Sequence, residues 1–231
     1  MDLQAVLQRL EGYGSEQTRK TYRRHGASAN QYGVSFANLK LLKKELKTNQ
    51  ALAEQLWDTG NEDARMLATM IADPNSISVE VVEKWIGNWP YYPGVDAVAT
   101  LVGKAPFASA LVPKWTTVED EWVSYGGWQL VAQLATHDKQ LPDDYFAAYL
   151  TVIETSIHSR PNRTRHGMNG ALIAIGLRNA DLEEEALRIA RVIGKVEVDH
   201  GDTSCKTPDA TTYIEDTKFK RDAMAKKRAK K

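Results

Sequence analysis

A single cysteine, Cys205, leaves the chain without an internal disulfide and fits a reducing compartment. No apolar run approaches the length of a membrane span; ALIAIGL, from Ala171, is far too short. The opening MDLQAVLQRLEGYG has no basic stretch followed by an apolar one, so no secretory signal is expected. A cytoplasmic protein with no membrane partner is the expectation. Gly-rich phosphate loops are missing, since neither G-x-x-x-x-G-K-(S/T) nor G-x-G-x-x-G occurs. Ser-His-Asp catalysis has no nucleophile-elbow pattern in its favour. Net charge of one sign is missing too, with thirty Lys and Arg against thirty Asp and Glu. The balance is uneven along the chain: the last fourteen residues, KFKRDAMAKKRAKK, hold eight Lys or Arg and one Asp. Such a tail is usually a solvated, disordered end, though it can touch nucleic acid or anionic lipid.

What is present is helical period. In FANLKLLKKELK, Phe36, Leu39, Leu42 and Leu46 recur at three- and four-residue spacing with lysines on the other side. Asn49, Asn61 and Ser78 can each cap a following helix. Gly60 and Asp73-Pro74 supply stops. Pro106 and Pro113 bracket a short element, and Thr117 with Asp120 resembles a capping box for a helix to His137. Leu141-Pro142-Asp143 starts another, and Arg163–Gly176 and Leu182–Ile193 read as two more. No stretch before residue 194 alternates with period two. The chain is therefore expected to be all-α, with about ten short helices stacked in pairs. EWVSYGGWQLVAQLA and TRHGMNGALIAIGL overlay about 41 residues apart, a HEAT-type period. A right-handed α-solenoid of HEAT-like repeats over residues 1–195 is predicted. An end cap at 196–217 and a basic, disordered tail at 218–231 follow it, and the protein is expected to be a monomer.

Three stretches could carry chemistry. In KWIGNWPYYPGVDAV, the aromatics Trp85, Trp89, Tyr91 and Tyr92 crowd ahead of one carboxylate, Asp96. Asp96 can be a helix-start acid at the positive end of the dipole. Alternatively, it can stabilise a cation in an aromatic-walled site, where ring faces add cation–π attraction. HSRPNRTRHGMN gathers His158, Arg160, Arg163, Arg165 and His166 where a helix begins. Free N–H groups there suit phosphate, with Arg163 and Arg165 the leading contacts; a solvated turn is the alternative. Basic TRKTYRRHG reads as a helix surface. Asp199, His200, Asp202, Cys205 and Asp209 lack the paired Cys and His spacing of structural zinc, so no metal and no cofactor are expected.

The segment NWPYYPGVDAVA resembles the W-D-x-V-D element of the AlkD-like DNA alkylation-repair glycosylases, a HEAT-like-repeat family, and DEWVSYGGWQLVAQLA resembles its following repeat helix. Order and helical context agree from about residue 35 to 195. The resemblance implies a concave basic surface on duplex DNA and release of cationic alkylated purines without base flipping. It places Asp96 on the carboxylate that stabilises oxocarbenium charge. Tyr92 falls on the motif's first aromatic. Trp89, Tyr92, Trp122 and Tyr125 would line the cleft, with Asp96 partly exposed at its floor and Arg163 and Arg165 on the same face.

The departures from the family are specific. Tyr125 stands where the family's W-x-x-R helix has an arginine, and a phenol cannot reproduce a guanidinium's charge or bidentate grip. Leu172 or a neighbour stands where a second family tryptophan would be. Beside the glycosylase expectation stand two others: a non-catalytic scaffold for damaged or branched nucleic acid, and a protein-interaction scaffold on the same surface.

Overall fold

The computed structural model describes the backbone of residues 1–229 and the side chains of residues 1–220. Among the described residues the chain forms thirteen α-helices, one 3-10 turn and no strand; Gly14 and Val34 form an isolated antiparallel bridge. The chain divides into two compact units: residues 1–108 with 200–204, and residues 109–199 with 205–231. This division differs from the expected domain boundary at 195.

The first unit runs α1 (Leu3–Tyr13), α2 (Glu16–Arg24), α3 (Phe36–Leu46), α4 (Gln50–Asp58), α5 (Glu62–Ile71), α6 (Val79–Gly87) and α7 (Tyr92–Val102). Asn49, Asn61 and Ser78 each accept a backbone N–H from the first turn of the helix they open. Such caps contribute about 1 kcal/mol each. On α3, Leu39 and Leu42 enter the core, but Phe36, expected on that face, is exposed at the helix start and meets Tyr22 edge-on. The core is aromatic: Trp57 and Trp85 stack in parallel at 4.3 Å, and Trp89 meets Trp57 edge-on at 5.1 Å.

Polar groups at the start of α5 fasten the loop after α2. Glu62 accepts from the Ser28 N–H through one carboxylate oxygen and from the Trp89 indole through the other. Asp63 accepts three successive backbone N–H groups, from Tyr32, Gly33 and Val34, at 2.7–2.9 Å. Burial pushes the Asp63 carboxyl above the usual range, while those three donors pull it down.

The second unit holds α8 (Ala108–Thr117, its first residue belonging to the first unit), α9 (Glu121–His137), α10 (Asp143–Ser156), a 3-10 turn at Ile157–Ser159, α11 (Asn162–Gly176), α12 (Ala180–Ile193) and α13 (Ala210–Ala229). Asp120 itself caps α9, so the box expected from Thr117 gives way to a one-residue cap accepting from Trp122 and Val123. Pro113 lies inside α8 instead of ending it. Its missing N–H orphans the carbonyl of Ser109 four residues back, and the Tyr145 hydroxyl donates to that carbonyl at 3.2 Å.

Helices α9 and α11, the two segments that overlay in sequence, pack closely because glycines remove side chains between them and their neighbours. A Cβ on Gly127 would sit 2.7 Å from the backbone of Trp115 and Thr116; one on Gly167 would sit 3.0 Å from the Trp128 Cβ and the Tyr125 ring. Beyond α12, Asn162 clasps Asp199 through a reciprocal pair of bonds to its N–H and carbonyl. Ile214 of α13 is buried against Gly176, and Lys218 pairs with Glu183 at 2.5 Å. The segment expected as a disordered tail from 218 continues as helical backbone to Ala229; residues 230 and 231 lie outside the described residues.

Candidate nucleic-acid interface

The KWIGNWPYYPGVDAV segment builds the end of α6 and the start of α7. Gly94 is required there, because a Cβ would come within 2.4 Å of the Trp89 ring, which lies flat on the first turn of α7. The Trp89 indole donates to Glu62 at 2.5 Å and its side chain is only 1% exposed. Trp89 is therefore core and lines no open cleft, contrary to expectation. Trp85 and Tyr91 are buried as well, and burial holds the Tyr91 phenol far above the ordinary range. Most of the cluster packs the unit.

Tyr92 and Asp96 differ. Both are half-buried, and at four-residue spacing they share one face of α7. The Tyr92 hydroxyl pairs with His25 Nδ1 at 2.5 Å, and the two rings meet edge-on at 5.7 Å. Asp96 is the fifth residue of α7, and no acid occupies the helix's first turn. The helix-dipole account of Asp96 therefore loses most of its force, since that field fades within the first turn. What remains is a partly exposed carboxylate beside a phenol ring that His25 holds in place.

Trp122, Tyr125, Arg163 and Arg165 belong to the second unit, and Tyr92 and Asp96 to the first. Trp122 is half-buried in the first turn of α9. Tyr125 is fully buried, its hydroxyl accepting from Gln129 Nε2 at 3.0 Å and its ring 6.1 Å from that of His166. It cannot line an open surface, again contrary to expectation: the close approach of Gly167 draws the ring between α9 and α11. Leu172 is buried in the same layer.

Arg163 and Arg165 are half-buried on the first turn of α11, and the Arg165 Nε is buried with no hydrogen-bond partner. The helix start was expected to offer free N–H groups to phosphate. One is already engaged: the Arg163 N–H donates to the Glu121 carboxylate at 2.5 Å. His158 Nε2 donates to the Ile193 carbonyl at 2.8 Å. Among the described residues no three His, Cys, Asp or Glu side chains converge as metal ligands, and no helix is long and apolar enough to cross a membrane.

Three participants are not singled out by the sequence. His25 sat in a stretch read as helix surface, yet it is the C-cap of α2 and the partner of Tyr92. Glu62 and Asp63 follow the Asn61 cap in the first turn of α5, where nothing local marks them as anchors for Trp89 and the loop after α2.

The architecture is that of the HEAT-like repeat proteins. A solved structure described as "a new family of proteins related to the HEAT-like repeat DNA glycosylases with affinity for branched DNA structures" superposes with a TM-score of 0.87 at 32% identity, covering 94% of this chain and 93% of that one. Residues 6–214 match the model of the family described as DNA alkylation repair enzyme, and the chain belongs to that family. The chain is also similar to the uncharacterized proteins Lin0241 of Listeria innocua, 34% identical, and Lmo0209 of Listeria monocytogenes, 32% identical. Each aligns over 221 residues, 92% of this chain and 94% of the relative.

Proposed function

We propose that the protein binds DNA and prefers branched structures to plain duplex, with little or no base excision. The observation that carries this reading is Tyr125. Where the resemblance calls for a DNA-gripping arginine, the chain has a fully buried phenol bonded to Gln129. A site that lost its bidentate phosphate contact loses hold of the backbone at the reacting nucleotide. The structural relative with affinity for branched DNA supports the same direction. Arg163 and Arg165, on the first turn of α11, supply positive charge within the same unit as Tyr125.

The test is a binding titration of a four-way junction and a duplex of equal length, each across a salt series. Junction binding should be tighter by about 10-fold or more, and affinity should fall as salt rises. Alanine at both Arg163 and Arg165 should weaken binding to all sequences alike and flatten the salt slope. Equal affinity for duplex and junction would overturn the preference; an affinity insensitive to salt would point to a protein partner.

A second reading, release of cationic alkylpurines, draws support from Asp96, whose place beyond the first turn of α7 leaves it without a helix-start role. Its assay is base release from duplex carrying 7-methylguanine, with wild type and Asp96→Asn in parallel. Removal of one electrostatic contributor should lower release by about 10- to 1000-fold. No release by wild type, together with junction binding, would leave the binding reading alone.

A further inference from the structure

The second unit contains a cavity of about 440 Å³ formed by α9, α11 and the start of α13. That lies within the roughly 300–1,000 Å³ typical of small-ligand sites. Ile173, Leu177, Pro208 and the Tyr213 ring supply apolar wall, and Tyr213 is 49% exposed. Two side-chain amides join them. Asn169, 1% exposed, is fixed by its bond to the Pro208 carbonyl. Gln129 is fixed by its bond to Tyr125, and its Oε1 lies 3.5 Å from where a Cβ on Gly170 would stand. Gly170 thus leaves open space on the wall beside that amide.

The charges of the cavity are one-sided. No Asp or Glu is among its lining residues. Arg178 is committed elsewhere, to Asp143 and to the carbonyls of Ala135, Asp138 and Leu141. Lys139 gives one donor to the Thr136 carbonyl, and an ammonium has two more. An apolar slot with an aromatic ring, two amides able to donate and accept, and one lysine suits a planar heterocycle that carries an anionic group.

We propose that this cavity takes a nucleotide, its base against Tyr213 and Ile173, its edge read by Gln129 and Asn169, and its phosphate at Lys139. The nucleotide can come from two sources, a free mononucleotide or an unpaired nucleotide at a DNA branch. The second source rests on the branched-DNA reading above.

The test titrates the full chain with 2′-deoxyadenosine 5′-monophosphate and with deoxyadenosine. A junction with one unpaired adenosine at its branch is compared with a fully paired junction. Gly170→Leu fills the cavity, and Tyr213→Ala removes a half-exposed ring; thermal melts check that both variants fold. Saturable mononucleotide binding, weakened about 10-fold by Gly170→Leu and less by Tyr213→Ala, establishes the free source. Lys139→Ala should then weaken the mononucleotide and leave the nucleoside unchanged. Tighter binding of the unpaired junction, with that advantage lost in both variants, establishes the DNA source. No mononucleotide binding, together with no variant-sensitive advantage for the unpaired junction, overturns the inference while ordinary junction binding leaves the branched-DNA reading standing. Mononucleotide binding without any DNA affinity does the reverse.

Discussion

The two units solve the same packing problem with a different emphasis. The first fills its interior with indole rings, Trp57, Trp85 and Trp89, and satisfies the polar ends with the carboxylates of Glu62 and Asp63. The second brings helices together by omitting side chains, at Gly127 and Gly167, and sets a lone carboxylate, Glu121, against the start of α11. The difference bears on where function can reside. An aromatic cluster that resembles a ligand cage from its sequence is consumed by packing, whereas open volume lies beside α11 at Gly170.

The sharpest way to break the first unit is Asp63→Ala. It strands three adjacent N–H groups, two of them buried, and should cost about 3–5 kcal/mol, read as a loss of denaturation midpoint. Gly127→Ala attacks the second unit's device. The new methyl would press on the Trp115–Thr116 backbone, which has no rotamer to move away, so a loss of about 1–3 kcal/mol is expected despite the better helix propensity of alanine. If Gly127→Ala proves the more damaging, the ranking of polar clamp over close packing is reversed.

Acid should separate the two kinds of carboxyl, with a smaller effect. Hydrogen bonds from Arg188 hold Glu154 and Glu185 below their ordinary range, so their contribution is present above the unfolded-state value and lost as pH falls through the folded-state one. Glu154→Gln should therefore lower the melting temperature slightly at neutral pH and converge with wild type in acid. Asp63 has the opposite sign. Its folded-state value is raised by burial, so the cost of keeping it charged is relieved as pH falls through that value. A melting difference for Glu154→Gln that persists in acid would remove the ion pair from this account.

Much of the helical framework was legible because caps are local chemistry: Asn49, Asn61 and Ser78 each need only a side-chain oxygen within three residues of a free N–H. The family resemblance was legible from NWPYYPGVDAVA and the helix after it. The site was legible only in part, because exposure is a tertiary property. Nothing near Trp89 in the chain announces that Glu62, 27 residues earlier, takes its indole proton, or that Gly94 exists to admit the ring. Tyr125 failed for a related reason, since Gly167, on another helix, decides that its ring turns inward. His25 lies 67 residues from Tyr92, beyond any periodicity argument.

Pro113 and Tyr145 are energetically coupled through one carbonyl. The phenol is useful at 145 because the ring at 113 left a helix carbonyl unserved, so neither residue's value can be stated alone. Tyr145→Phe in this chain orphans the Ser109 carbonyl; after Pro113→Ala the same change should cost less, because the restored amide would already occupy that carbonyl and only the hydroxyl's bond to Tyr149 is lost. The order in which the two positions can change is thus constrained. Loss of the proline first makes loss of the hydroxyl milder, while the reverse order passes through a less stable intermediate.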